Sequence, residues 1–222
     1  MPRTARKAPG GMVFHVLNRG VGRMQLFNRD ADYAAFEQIV TETLAVVPMR
    51  LLGYCLMPNH WHMVLWPQED GELSDFMQKL TTLHVSNWQR VHDRVGQGHV
   101  YQGRFKSFPI ETDDHFYRVM RYVERNALRA GLAATAEAWR WCSLWRRTQG
   151  TAAECAILSQ WPLPVGETWL DYVNQPQSDI ELKAIRDSVA RGTPYGSHDW
   201  KLRTATTLGL EATLQSRGRP RK

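Results

Sequence analysis

Hydrophobic positions recur along the chain with two different spacings, and these spacings predict strands and helices in a definite order. Segments in which apolar and polar residues alternate predict strands, because strand side chains point to opposite faces in turn. Residues 12–17 alternate in this way, and the other predicted strands, at 50–57, 60–66 and 104–112, are short segments bounded by turn or loop residues. Segments with apolar residues three or four positions apart predict helices. The predicted helices run from 28 or 30 to about 45, from 71 to 94, and from 113 to about 130.

Residues with capping and turn preferences fall at the ends of these segments. Asn28 or Asp30 can cap the first helix, and Ser74 or the residues before it can cap the second. Pro58 and Asn59 predict a tight turn that pairs the second strand with the third. The element order is therefore β-α-β-β-α-β followed by one more helix.

This order predicts an α+β fold, namely a ferredoxin-like split βαβ sheet domain with an additional C-terminal helix. We expect this sheet domain to cover 1–150, with the tryptophan-rich part at 132–150 packing back onto the sheet. A mostly helical extension is predicted at 151–210, and a basic, flexible tail at 211–222. Because this fold hosts many activities, it does not by itself define a function.

The charge of the chain is concentrated at its two ends and in one internal segment. The net charge is +6 over 222 residues, and both termini and residues 101–150 are basic. Such clustering favours a polyanion such as nucleic acid, although a solvated tail without a partner would look the same. We find no apolar segment that predicts a membrane span and no secretory signal. The three cysteines are widely spaced, which suits a reducing cytoplasm and excludes a zinc-finger pattern.

The third predicted strand carries the first candidate chemistry. His60 and His62 are separated by one residue, so both imidazoles should leave the same face of the sheet. Neutral imidazole is a good ligand for a divalent metal. A metal held in this way can polarise a phosphate or activate a nucleophile. An isolated pair of histidines on a strand is more often structural, so a further group is needed to support a metal site.

That further group lies on the last predicted helix. Tyr122 and Asn126 are four residues apart and therefore share a helix face. The carboxamide of Asn126 can act as a third metal ligand, and the phenol of Tyr122 would then lie near the same ion. Tyr117 is about 140° away around the helix and cannot share the site. His15, on the first strand, could face DNA or belong to the core.

These residues together resemble a known family. His-Trp-His at 60–62 and Tyr-Val-Glu-Arg-Asn at 122–126 are similar to the motifs of single-tyrosine HUH endonucleases. Met-Pro-Asn before the histidines and Ala-Leu-Arg-Ala-Gly-Leu after Asn126 resemble more closely the REP-associated tyrosine transposases. The segments at 14–20, 103–105 and 218–222 fit that family as well. Ala127 departs from the proline that the family often has, at a position outside the proposed chemistry.

The resemblance implies a specific activity. Tyr122 would attack a phosphodiester in single-stranded DNA, leaving a 5′-phosphotyrosine link and a free 3′-hydroxyl. His60, His62 and Asn126 would hold Mg²⁺ or Mn²⁺, since phosphate and carboxamide oxygens suit hard cations. The DNA would be a palindromic, REP-like repeat that forms a hairpin. The resemblance also implies a monomer, with a dimer as the alternative, in the bacterial cytoplasm and associated with the nucleoid.

Basic residues outside the catalytic group are candidates for DNA contacts. Arg19, Arg104 and Lys106 border strands next to the predicted site and can bind phosphate, although plain solvent exposure is equally compatible. Arginines around a glycine fit a narrow minor groove. The tail should therefore bind the hairpin stem or the flanking duplex through Arg217, Arg219 and Arg221.

Two other functions remain open at the level of the sequence. The chain could be a DNA-binding regulator that keeps the fold and performs no chemistry. It could also be a metal-dependent hydrolase that uses water, with Tyr122 only structural. A covalent DNA adduct that disappears in Tyr122→Phe would separate the strand-transfer enzyme from both alternatives.

Overall fold

Four strands form one antiparallel sheet in a computed structural model of the protein, which describes residues 7–215. The strands are β1 (Val13–Arg19), β2 (Arg50–Met57), β3 (His60–Trp66) and β4 (Lys106–Ile110). Their order across the sheet is β2-β3-β1-β4, and every pairing is antiparallel. This is the strand order of a split βαβ sheet, so the predicted ferredoxin-like α+β fold is confirmed.

Helices cover both faces of the sheet. Two long helices, α1 (Asp30–Val46) and α2 (Glu72–Val91), pack on each other and on one face. On the other face lie α3 (Asp114–Glu124) and α4 (Asn126–Arg129). The remaining helices are α5 (Ser143–Gln149), α6 (Ala152–Cys155), α7 (Trp169–Asn174), α8 (Asp179–Arg191) and α9 (His198–Leu208). Within residues 7–215, none of the helices has the length and apolar character that crossing a bilayer requires.

The alternation of side chains along β3 determines which residues meet α3. Trp61, Met63 and Leu65 are fully buried in the core beneath α1 and α2. Val64 belongs to the second core, under α3. Because His62 has the same parity as Val64, its imidazole also faces α3. The period-two pattern thus places the candidate metal ligands on the side of the sheet that carries the candidate nucleophile.

The start of α1 differs from the prediction. The residue that caps this helix is Arg29, rather than Asn28 or Asp30. The carboxylate of Asp32 accepts hydrogen bonds from the backbone N–H of Asn28 (2.9 Å) and of Arg29 (3.2 Å). Asp32, in the first turn of the helix, therefore accepts hydrogen bonds from the two backbone N–H groups that precede the helix.

Two other predicted boundaries are corrected. The cap of α2 is Gly71, with a φ of 90°, which is one of the residues before Ser74 that the sequence allowed; Ser74 itself lies inside the helix, which ends at Val91 rather than 94. A positive φ favours glycine, which explains why the helix starts here. The strand β4 is shorter than the predicted 104–112, so Arg104 lies in the loop before it.

The tryptophan-rich segment packs back onto the sheet, as predicted. The indole N–H of Trp139 donates to the carbonyl of Leu56 (2.8 Å), and the N–H of Leu56 donates to the carbonyl of Trp141 (2.9 Å). Further along, the indole N–H of Trp161 donates to the carbonyl of Leu52 (2.8 Å). The first part of the extension therefore also packs on β2. The domain boundaries at 150 and 210 stay predictions.

A buried histidine in α2 should make the stability of the fold depend on pH. His84 is 2% exposed, and burial lowers its pKa to about 3, an effect that Asp32 opposes and His92 reinforces. Below about pH 6.5 the unfolded chain binds a proton here that the folded chain does not, so stability is lost as the pH falls towards 3. Between pH 6 and 4 the wild type should lose about 1.4 kcal/mol more per pH unit than His84→Phe.

Urea unfolding at several pH values measures this difference in slope. His99→Gln is the matched control, because it removes an exposed histidine instead of a buried one. Equal slopes for the wild type and His84→Phe would contradict the prediction.

Candidate active site

The two histidines of β3 lie side by side on the face covered by α3. The ring centroids of His60 and His62 are 5.1 Å apart, and His62 is 3% exposed whereas His60 is half-buried. Nδ1 of His60 lies 2.6 Å from Oδ1 of Asn59. A carboxamide oxygen only accepts, so this nitrogen carries the proton and Nε2 of His60 keeps a free lone pair. The His60 ring is thus oriented with one ligating nitrogen available.

His62 contacts a third histidine, on β1. Nδ1 of His62 lies 2.9 Å from Nε2 of His15, and the two rings are stacked with centroids 5.0 Å apart. His15 is fully buried and also packs on Phe108 of β4, at 4.8 Å between centroids. Of the two interpretations that the sequence allowed for His15, the structure shows the buried one.

All three imidazoles are held in the neutral form. Burial lowers the pKa of His15 to about 3 and the pKa of His60 to about 4, and it lowers the pKa of His62 well below its usual range. The cations Arg19 and Arg129 lower the pKa of His60 further. Neutral imidazole is the form that ligates a metal. At neutral pH, therefore, no proton competes with a cation for these rings.

Tyr122 lies against this histidine group. Its ring meets the ring of His62 edge to face at 5.7 Å and that of His15 at 6.2 Å, and it is 6% exposed. The phenol oxygen has no hydrogen-bond partner among residues 7–215. By contrast, the hydroxyl of Tyr117 donates to the carbonyl of Pro164 (2.6 Å). The structure therefore brings Tyr122, and not Tyr117, to the histidines.

The predicted helix 113–130 is interrupted between Tyr122 and Asn126. The helix α3 ends at Glu124, and α4 begins at Asn126 after Arg125. The carbonyl of Tyr122 accepts a long hydrogen bond from Nη1 of Arg129 (3.5 Å). Tyr122 and Asn126 thus lie on either side of a local irregularity rather than on one continuous helix.

Arg129 joins the tyrosine to the asparagine, a role that the sequence reasoning missed. Its guanidinium stands over the Tyr122 ring, 4.4 Å from the centroid, and Nη2 donates to Oδ1 of Asn126 (2.7 Å). A cation over an aromatic face is attracted by the ring quadrupole. The spacing could have indicated Arg129, because it lies three residues after Asn126 on the same short helix.

The donor atoms of this group are of the types that bind a divalent cation. His60 and His62 supply neutral imidazole nitrogens, and Oδ1 of Asn126 has a second lone pair besides the one used by Arg129. Nδ2 of Asn126 is buried without a hydrogen-bond partner in the described part of the chain, so this amide is not fully satisfied by the protein alone. Among the described residues, Arg129 connects Asn126 to Tyr122, because its guanidinium contacts both side chains.

A second group of possible metal ligands lies elsewhere, where β4 leads into α3. Glu111, Asp113 and His115 bring ligand atoms within 4.8 Å of one another. Both carboxylates take part in local hydrogen bonds, because Asp113 accepts from the N–H of His115 (2.8 Å) and Glu111 accepts from the N–H of Ser197 (2.6 Å). His115 precedes Tyr122 by about two helical turns, or roughly 10 Å. This group is therefore separate from the predicted site.

The predicted DNA-contacting residues of the sheet lie at the end where the histidines are. Arg19 pairs with His60 across β1 and β3, and its Nε is buried without a partner among residues 7–215. The carbonyl of Arg19 accepts from the N–H of Gln102, which leads into the loop of Arg104. Arg104 and Lys106 are exposed. The tail arginines lie outside the described residues: Arg217, Arg219 and Arg221.

A split βαβ sheet with paired histidines on a strand and a tyrosine on the facing helix defines the single-tyrosine class of DNA transposases. A family model described as "Transposase IS200 like" matches residues 10–126, which is more than half of the chain. The chain belongs to this family of transposases. The matched range ends at Asn126 and includes both histidines and Tyr122.

Solved structures resemble this chain at the level of fold. One is described as the REP-associated tyrosine transposase bound to a REP hairpin; it has a TM-score of 0.53 and 18% identity, and the match covers 66% of this chain and 84% of that chain. Another is a candidate transposase from Deinococcus radiodurans R1, with a TM-score of 0.41, 12% identity, and coverage of 59% and 98%. No curated protein matches the chain. The expected resemblance to the REP-associated transposases is therefore confirmed for the fold.

Proposed function

We propose that this transposase is a single-stranded DNA endonuclease and strand transferase that acts on hairpin-forming palindromic repeats through a 5′-phosphotyrosine intermediate. The observation that carries the proposal is the phenol of Tyr122, which lies against His62 and has no hydrogen-bond partner among the described residues. The similar fold of a transposase described as bound to a REP hairpin supports the choice of DNA.

The reaction exchanges one phosphoester for another. The oxygen of Tyr122 attacks the phosphorus, an O–P bond to tyrosine forms, and the bond from phosphorus to the 3′ oxygen breaks. The phenol loses a proton and the leaving 3′ oxygen gains one, which gives a free 3′-hydroxyl. Because the phosphotyrosine ester keeps the energy of the broken bond, a second 3′-hydroxyl can reverse the step without ATP.

The residues around Tyr122 have distinct roles in this proposal. His60, His62 and Asn126 would hold Mg²⁺ or Mn²⁺, which when bound polarises the phosphate and favours the ionised phenol. Arg129 fixes the Tyr122 ring through its position over the ring face. These side chains all come from one chain, so we infer that a monomer is sufficient for cleavage.

Three cations give the DNA strand a path to the site. Arg19 lies beside His60, and the exposed side chains of Arg104 and Lys106 follow at the same end of the sheet. Phosphate contacts of this kind position a strand without reading its sequence. We also assign to the tail, at 216–222, a contact with the hairpin stem or flanking duplex. Its deletion should weaken binding and reduce the salt dependence.

Removing two of these cations should weaken DNA binding in a salt-dependent manner. In Arg104→Ala/Lys106→Ala, the affinity for a single-stranded oligonucleotide should fall. The slope of log K against log salt should become shallower by about 1.4, because each lost phosphate contact on a single strand contributes about 0.7. Fluorescence anisotropy at several salt concentrations measures both quantities.

A charge-matched variant separates a local contact from a general loss of positive charge. Lys79 and Arg90 lie on α2, on the other side of the sheet, so Lys79→Ala/Arg90→Ala removes the same charge away from the proposed path. This control should keep the wild-type slope. If both double variants lose the same affinity and slope, the proposed DNA path is wrong.

A further inference from the structure

His15 is a fully buried polar side chain to which the proposed chemistry gives no role. Its Nε2 lies 2.9 Å from Nδ1 of His62, and its Nδ1 has no hydrogen-bond partner among residues 7–215. A buried nitrogen left without a partner costs stability. The contact with His62 is the feature that could compensate for this cost.

The hydrogen bond between the two imidazoles can exist in two forms. In one form His15 donates from Nε2, and the proton of His62 then lies on its other nitrogen, Nε2. In the second form His62 donates from Nδ1, which leaves a lone pair on its Nε2 and the proton of His15 on Nδ1. Only the second form allows His62 to ligate a cation through Nε2.

We propose that His15 is a positioning residue, which accepts the Nδ1 proton of His62 and so keeps Nε2 of His62 free to bind a divalent cation. This inference rests on the proposed function, in which His62 is a ligand. Histidine ligands generally donate their other ring N–H to a partner that fixes the tautomer and the ring orientation. Here the partner is an uncharged imidazole instead of a carboxylate or a carbonyl.

The surroundings of His15 suit this task. Its ring is held between the ring of His62 (5.0 Å) and that of Phe108 (4.8 Å), both carried by strands. Since β1 and β3 are directly paired, His15 and His62 are near neighbours on one sheet face. The accepting nitrogen is therefore fixed by the sheet itself rather than by a mobile loop.

Mn²⁺ binding by the full chain, measured by isothermal titration calorimetry at constant pH, tests the proposal without any turnover. His15→Phe keeps a ring of similar size but has no acceptor, so its Kd for Mn²⁺ should rise about 10- to 100-fold. His15→Gln offers a carboxamide oxygen and should recover most of the affinity. His84→Phe removes an equally buried histidine from the other core and should bind as the wild type does.

The outcomes separate this inference from the function on which it rests. If the wild type binds Mn²⁺ and His60→Ala abolishes binding, but His15→Phe binds normally, the role of His15 is wrong and the metal site stands. If His15→Gln binds as weakly as His15→Phe, His15 serves only packing. If no Mn²⁺ binding depends on His60, the proposed metal site fails together with this inference.

A measurement on the wild type does not depend on how well a variant folds. Long-range ¹H–¹⁵N spectra of the Mg²⁺-loaded protein report which imidazole nitrogens carry protons. We expect a protonated Nδ1 on His62 and an unprotonated Nε2 on His15. A protonated Nε2 on His15 would overturn the proposal, and thermal unfolding of each variant shows whether its fold is retained.

Discussion

Tyr122→Phe should abolish the covalent protein–DNA adduct and reduce strand cleavage by at least about 10³-fold, because removal of a nucleophile eliminates the chemical step that depends on it. The phenol oxygen of Tyr122 has no hydrogen-bond partner within residues 7–215, so its loss leaves no buried group unpaired. The free energy of unfolding should therefore change by no more than about 0.5 kcal/mol. Denaturing electrophoresis and urea unfolding measure the two effects.

Tyr117→Phe is the matched control on the same helix. Its hydroxyl donates to the carbonyl of Pro164, so this variant should lose about 1 kcal/mol of stability while keeping the adduct. Tyr122→Phe should therefore lose cleavage and keep its stability, whereas Tyr117→Phe should lose stability and keep cleavage. If Tyr122→Phe still cleaves DNA and His60→Ala does not, the protein is a metal-dependent hydrolase that uses water.

Removal of the metal should stop cleavage while leaving hairpin binding largely intact. EDTA should abolish the adduct, and Mn²⁺ should restore it, because in the proposed mechanism the cation would polarise the phosphate and favour the ionised phenol. His60→Ala should lower cleavage by more than about 100-fold. Loss of a residue that only supports a metal ligand costs up to about 100-fold, and loss of the ligand itself should cost more. Excess Mn²⁺ should partly rescue this variant by mass action.

The second group of possible ligands provides the control for this experiment. Asp113→Asn removes a carboxylate from the group of Glu111, Asp113 and His115 but keeps an N-cap residue for α3. It should cleave as the wild type does. If Asp113→Asn loses cleavage and His60→Ala keeps it, the working metal lies at β4 and not at the paired histidines.

Local patterns were sufficient to predict the sheet and the face of it on which His60, His62 and Tyr122 lie together. The bounds of β2 and β3 follow from two short, largely apolar segments on either side of the turn at Pro58 and Asn59. The alternation of side chains along a strand then places His60 and His62 on one face. The approach of Tyr122 to these histidines agrees with the element order, because the helix that directly follows β4 packs on that face.

Features that depend on long-range register or on side-chain reach could not be predicted in this way. The contact between His15 and His62 requires the pairing of β1 with β3, which no local pattern specifies. The bridge from Arg129 to Asn126 depends on the path of a long, flexible side chain. The break at Arg125 has no proline or glycine to indicate it.

Identification of the residue to which DNA becomes covalently attached tests the central claim most directly. The protein is incubated with Mn²⁺ and a hairpin oligonucleotide with a single-stranded flank, then digested and examined by mass spectrometry. We predict a nucleotide phosphate on the peptide that contains Tyr122, attached to that residue. A complete absence of adduct, or a phosphate on Tyr117 instead, would contradict the account.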